Sequence, residues 1–195
     1  MSAAVRRAAT PLALAVIAIA LLAGCVPGGE ATAPSGEPTI SGSPTATSTP
    51  EPTGPPNGVP IAATCDDLVS PDTLYVYNPN FGSITDFTPA DGSPAASALT
   101  YQGVACRWQN QTSGENIDVS VAQLDADSLT ALKNAAFEDS EMVPTYGEEA
   151  YFTVTNGVGI AQVFQGPFWI VAESTVFFEP GDATELVNSV IDALS

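Results

Sequence analysis

The sequence predicts an α+β domain, in which an antiparallel sheet of about five strands carries amphipathic helices. Apolar and polar residues alternate over 117–122, which indicates a strand. The pair Asn156-Gly157 lies between two apolar runs, a strong signal for a tight hairpin. Residues 182–194 space their apolar side chains as one face of a helix does. Strands joined by short turns pair antiparallel, and a one-sided helix packs on the resulting sheet.

The first 24 residues predict a bacterial lipoprotein signal peptide. Arg6 and Arg7 precede an unbroken apolar run over 12–22, and Leu22-Ala23-Gly24-Cys25 matches the lipobox. The run has eleven residues, whereas a helix that spans a bilayer takes about 20. We therefore expect diacylation of Cys25, cleavage just before it, and anchoring on the outer face of the bacterial cell membrane.

Residues 25–62 are predicted to be the lipidated cysteine followed by a disordered tether. Of the 35 residues from 26 to 60, 25 are Pro, Gly, Ser or Thr, and none is aromatic or basic. Such a segment cannot bury enough apolar surface to offset the entropy of ordering its backbone. We expect it to act as a spacer between the membrane and a single extracytoplasmic domain, residues 63–195.

Charge and composition exclude several classes of function. The chain has 4 Lys+Arg, 22 Asp+Glu and no His, for a net charge of −18. Such a chain repels nucleic acid, which proteins bind by neutralising phosphates. Without histidine there is no Ser-His-Asp or Cys-His catalysis and no histidine-ligated metal. We expect no enzymatic activity, no cofactor and no metal, and interpret Asp125 and Asp127 as helix-start and surface residues in preference to calcium ligands.

Two short helices are predicted at the start of the domain. Thr64 and Ser70 have the N-cap character that precedes helices, with acids or proline in the turn that follows. Residues 81–102 are rich in Gly, Pro and Ser and predict a loop, with a helical turn from Ser93-Pro94.

The rest of the domain is predicted to alternate strands and helices. Residues 104–108 and 117–122 form a half-buried hairpin, and a helix covers 128–138. Two tight turns, Asn156-Gly157 and Gly166-Pro167, join three further strands, and a helix follows Asp182. Those three strands cover 150–155, 159–165 and 168–177.

A disulfide between Cys65 and Cys106 is expected. Lipidation uses Cys25, which leaves an even pair of cysteines in an oxidising compartment. Cys106 also shares a strand face with Val104 and Trp108, so it is predicted to point toward the core.

Several features of the domain occur together: Cys65 in a first short helix with Cys106-Arg107-Trp108, Gly147-Glu148-Glu149-Ala150-Tyr151 before a meander, Trp169, and the closing amphipathic helix. These features give the domain a resemblance to the largely uncharacterised secreted lipoproteins of actinobacteria that contain a Cys-x-Trp strand. The resemblance covers about residues 64–195 and implies a PsbP-like α+β sandwich. No catalytic residues are assigned to that family, so the resemblance implies none here.

Two classes of function remain open. The first is a surface module that binds a protein or envelope partner. Arg107, which alternates away from Cys106 and Trp108, is expected to form an ion pair with a carboxylate of a neighbouring strand. The alternative is a carrier that holds an apolar small molecule or lipid in a cleft between sheet and helices, lined by aromatic side chains. The candidate surface residues are Arg107, Trp108, Phe164 and Trp169, with Phe168 as a further candidate for the cleft.

Overall fold

A computed structural model describes residues 58–195 of the chain. The signal peptide, Cys25 and residues 26–57 lie outside the described residues, so the lipidation and most of the tether stay predictions. Within 58–195, no helix is both long and apolar enough to cross a membrane.

The described residues form one antiparallel sheet and five α-helices. The helices are α1 (Cys65–Leu68), α2 (Pro71–Tyr77), α3 (Pro94–Thr100), α4 (Ala126–Asp139) and α5 (Thr184–Ala193). The strands are β1 (Gly58–Val59), β2 (Phe81–Ser83), β3 (Val104–Asn110), β4 (Asn116–Leu124), β5 (Glu141–Met142), β6 (Glu149–Thr155), β7 (Val158–Gln165) and β8 (Phe168–Ser174). Their order in the sheet is β2-β3-β4-β8-β7-β6-β5, and β1 pairs with the far end of β4.

The α+β class and the antiparallel sheet are confirmed, but the sheet has eight strands over the described residues instead of about five. The five predicted strands are the long ones, β3, β4, β6, β7 and β8. The additional strands β1, β2 and β5 have only two or three residues each. A segment that short has no measurable alternation of polar and apolar residues, so its pairing is decided by its neighbours.

The predicted helix starts are confirmed by their caps. Thr64 forms a capping box with Asp67, and Ser70 accepts a hydrogen bond from the Thr73 N–H. Ser93 caps α3 in the same way, and the predicted helical turn there is a helix of seven residues. The Asn156-Gly157 turn is also present, with φ of 54° and 80° at its two residues. Both values lie in the left-handed region that this type of hairpin turn requires.

The sheet is covered on both sides, and each side is named here by one residue. The Cys106 face carries Cys106, Trp108 and Val119 and packs against α5, α1 and α2. The opposite Arg107 face carries Arg107, Asp118 and Glu173, with α3 on β3 and β4, and α4 on β6 and β7.

The prediction that β3 and β4 form a half-buried hairpin is wrong for β4. Its polar-side residues Asp118, Ser120 and Ala122 are 7%, 3% and 0% exposed. The alternation of side chains is as predicted, but α3 packs on the side that the pattern assigned to solvent, and Phe87 of the loop before α3 lies over Arg107 there. Polar residues therefore lie in a buried layer, which requires that they find partners there.

A disulfide joins Cys65 of α1 to Cys106 of β3, as predicted, with 5.6 Å between the two Cα atoms. Two residues of the predicted tether pair with the sheet, because Gly58 and Val59 lie opposite Leu124 and Gln123 of β4. A Cβ atom at position 58 would lie 1.8 Å from the carbonyl oxygen of Tyr101, so this approach depends on glycine. Gly58, which the sequence analysis assigned to the tether, therefore packs against the backbone of Tyr101.

Candidate binding site

The most polar part of the Arg107 face is an ion pair across β3 and β4. Arg107 and Asp118 are direct cross-strand partners in the register. The guanidinium donates from Nε to Oδ1 at 2.6 Å and from Nη2 to Oδ2 at 2.5 Å, so both carboxylate oxygens accept. The Phe87 ring covers the guanidinium, with its centroid 4.1 Å from the Arg107 Cζ. This pairing satisfies the Asp118 charge in its buried position.

Glu173 extends this polar row onto the next strand. It is half-buried and lies directly opposite Asp118 in the β4–β8 register. Burial raises the pKa of Glu173, the Asp118 charge raises it further, and Arg107 acts in the opposite direction. Glu173 accepts no hydrogen bond from the described residues, unlike Asp118. The row therefore contains one carboxylate that is paired and one that is not.

An open groove lies beside this row, and we name it the Arg107 groove. Its volume is about 510 Å³. The Oδ1 atom of Asn116, one of the lining residues, is buried without a hydrogen-bond partner among the described residues. The lining residues are Arg107, Ser113, Gly114, Glu115, Asn116, Asp118, Val158, Glu173, Ser174 and Thr175. Its one cation is already neutralised by Asp118, so the groove is acidic.

The four residues singled out from the sequence do not lie together. Trp108 is 1% exposed in the core of the Cys106 face. Phe164 and Trp169 are 1% and 4% exposed in the core of the Arg107 face, below α3 and α4. Of the four, only Arg107 has a substantially exposed side chain. Its side chain is 32% exposed and lines the Arg107 groove. The three aromatic side chains fill the two cores and line no common cleft.

Both cations of the described domain are held in ion pairs. Lys133 of α4 donates to Glu149 of β6 at 2.8 Å, and its Nζ lies 5.6 Å from the centroid of the Phe164 ring. The hydrogen bond from Lys133 lowers the pKa of Glu149. The Tyr151 hydroxyl, which donates to the same carboxylate, lowers this pKa further. Since Arg107 is paired with Asp118, no cation of residues 58–195 is free to bind an anion.

The acidic residues do not assemble into a metal site. In the described part of the chain, no group of three or more Asp, Glu, Cys or His side chains has a geometry that suits a metal ion. Asp125 is the N-cap of α4, where its carboxylate accepts from the Ser128 N–H at 2.8 Å, and Asp127 lies in the first turn. The helix-start role expected of Asp127 is thus observed, and Asp125 adds the N-cap that the sequence analysis did not assign to it.

The sequence predicted that Arg107 pairs with a carboxylate of a neighbouring strand, which is confirmed, but it did not identify that carboxylate as Asp118. The hairpin register pairs Arg107 with Asp118, and counting back from the turn at 111–115 would have found that pair. Glu173 and Phe87 carry no such signal, because segments distant in sequence place Glu173 opposite Asp118 and Phe87 over Arg107.

Comparison of the chain with family models, with curated proteins and with solved structures finds no match in any of the three.

Proposed function

We propose that this protein is a lipoprotein anchored through Cys25 to the outer face of the bacterial cell membrane, and that its domain binds a basic envelope partner without catalysing a reaction. One observation carries the proposal. Three of the 22 acidic residues precede residue 58, so the domain has 19 acids against two bases, a net charge of −17. Both bases are already paired within the domain. A surface of this kind attracts cationic groups and accelerates their association.

The packing of the aromatic side chains favours a binding surface over a carrier of apolar molecules. A carrier needs a cleft lined with apolar side chains. Of the residues expected to line one, Trp108, Phe164 and Trp169 are buried against neighbouring side chains, and Phe168 is partly buried against the core of the Cys106 face. Large apolar side chains are instead exposed on the outside, among them Tyr75, Phe137 and Phe178 at 70%, 66% and 76%.

Surface cross-linking on intact cells tests the binding proposal. The protein is cross-linked in place, purified from membranes, and its partners are identified by mass spectrometry at low and at high salt. We expect a recurrent basic partner whose recovery falls as salt rises, because exposed charges are screened beyond about 10 Å at 0.1 M salt. An unrelated acidic domain of the same charge on the same anchor is the control. Recovery of the same proteins with that control contradicts the proposal.

A stoichiometric apolar molecule that co-purifies with the protein would instead support the carrier.

The lipid anchor is tested separately. The change Cys25→Ala is expected to abolish lipidation and release the protein from the membrane. A Cys25→Ala protein that still fractionates with membranes, with unchanged mass, would contradict the lipid anchor.

A further inference from the structure

The outer edge of the sheet beyond β6 forms a second groove, which we name the edge groove. It is lined by Asp139, Ser140, Glu141, Phe152, Thr153, Val154, Phe178, Glu179 and Pro180 and has a volume of about 560 Å³. Its floor is the part of β6 that β5 does not cover, one end is β5, and its wall is the segment after β8. Two of its apolar side chains are unusually exposed, Phe178 at 76% and Val154 at 49%.

The wall of the edge groove is held in place by hydrogen bonds. The N–H groups of Phe178 and Glu179 both donate to the Asp182 carboxylate, at 2.8 and 3.1 Å. The Tyr146 hydroxyl donates to the carbonyl oxygen of Pro180. The exposed Phe178 side chain is therefore presented from a fixed backbone, which lowers the entropic cost of binding a partner there.

The floor offers backbone groups that no described strand uses. The Val143 N–H donates to the Ala150 carbonyl, so the backbone groups of Ala150 point outward from β6. Because backbone groups alternate in direction along an antiparallel strand, the N–H and C=O groups of Phe152 and Val154 also point outward. Strand β5 begins at Glu141, which pairs with Phe152 of β6. Strand β5 therefore does not extend as far as Val154. The N–H and C=O of Val154 therefore face the edge groove with no partner strand among residues 58–195.

The charges of the groove determine what kind of segment fits it. Asp139, Glu141 and Glu179 line it, and both cations of the described domain are paired elsewhere. The chain's own residues 26–57 contain no Lys or Arg, so they do not complement this charge. A second copy of this acidic domain is repelled for the same reason. The occupant must bring its own cations from another protein.

We propose that the edge groove binds an extended basic peptide segment of a partner protein, added as a strand beside Val154 in line with β5. Its backbone pairs with the free groups of β6, an apolar side chain packs on Phe178 and Val154, and flanking Lys or Arg side chains face Asp139 and Glu141. This inference rests on the proposed function, since it gives the location and chemistry of the basic partner's contact.

A short synthetic peptide of alternating lysine and valine is the probe, and the protein is purified from membranes in detergent. We expect Asp139→Asn with Glu141→Gln to weaken binding about tenfold, because two facing charges are lost. The matched control is Asp86→Asn with Asp91→Asn, which removes two exposed charges from the loop between β2 and α3. That control is expected to weaken binding less than about threefold, since only the overall field changes.

Two further measurements test the strand addition itself. Phe178→Ser is expected to weaken binding about tenfold without changing the melting temperature, because the side chain is exposed. The peptide is expected to slow amide hydrogen exchange at Val154, whereas a peptide with N-methylated backbone amides is not.

The outcomes separate this inference from the proposed function. Equal binding by the two double variants, or unchanged exchange at Val154, would overturn the edge groove as the site while the acidic domain still binds a basic partner. A lysine–valine peptide that binds no better than its glutamate–valine counterpart would contradict both.

Discussion

The two faces of the sheet share the same strands but are closed in different ways. On the Cys106 face, β3 is linked to α1 by the disulfide, and α5 buries Leu186, Val187 and Val190 completely. On the Arg107 face, α4 has only Leu129 and Ala136 buried, and one end of the face is a polar row beside an open groove. The comparison indicates that the Cys106 face holds the domain together, whereas the Arg107 face leaves polar surface accessible.

The disulfide is expected to give the largest effect, on the Cys106 face. The change Cys65→Ala with Cys106→Ala opens a loop with a sequence separation of 41 residues. In the chain-entropy model this costs about 4 kcal/mol of the free energy of unfolding. Urea denaturation of the purified protein, with and without reductant, measures it. Wild type that is insensitive to reductant, or that has free thiols before reduction, would contradict the bridge.

A matched pair of leucines compares the two faces directly. Leu186 in α5 is 0% exposed and Leu129 in α4 is 8% exposed. We expect Leu186→Ala to cost about 3 kcal/mol and Leu129→Ala about 2 kcal/mol, because the site under α5 is fully enclosed. Thermal and urea unfolding of both variants give the two values. Equal losses would mean that the two faces are closed equally well.

The ion pair on the Arg107 face is the next test. Arg107→Leu leaves the buried Asp118 carboxylate without its partner and next to Glu173. We expect a loss of about 2 kcal/mol, below the range for fully buried pairs because a third of the Arg107 side chain is exposed. The double variant Arg107→Leu with Asp118→Leu is the control and should lose less than Arg107→Leu alone. A larger loss in the double variant would argue against an uncompensated charge as the cause.

The smallest effect concerns Glu173, and its direction depends on pH. Its pKa is raised in the folded state, mainly by burial, so the folded protein binds this proton more tightly than the unfolded chain. Stability is therefore lost as pH rises through that pKa, and the loss is complete above it. Glu173→Gln, which mimics the protonated form, is expected to stabilise the protein at pH 7 by less than about 1 kcal/mol.

That gain should vanish when the pH falls below the ordinary pKa of glutamate, since wild type is then protonated in both states. Glu115→Gln in the same groove is the control, because its carboxylate is exposed. A Glu173→Gln protein that is less stable than wild type at pH 7 would contradict the account of Glu173.

The sequence by itself determined the elements whose signals are local. The caps at Thr64, Ser70 and Ser93 fix where three helices begin, because a side-chain oxygen and its N–H partner lie three residues apart. The Asn156-Gly157 turn fixes one hairpin for the same local reason. The alternation along β3 and β4 also predicted correctly that Cys106 and Trp108 share a face, and the parity of the cysteines predicted the disulfide.

Only the tertiary structure decided what covers each face and which side chains remain accessible. Strands β1, β2 and β5 exist because a longer strand offers them backbone partners, and two or three residues contain no periodic signal of their own. Trp108, Phe164 and Trp169 became core residues because helices close over both sides of the sheet. The contacts of Arg107 with Phe87, and the edge groove between β6 and Phe178, bring together segments far apart in sequence. Such contacts depend on long-range packing, which no local pattern of residues encodes.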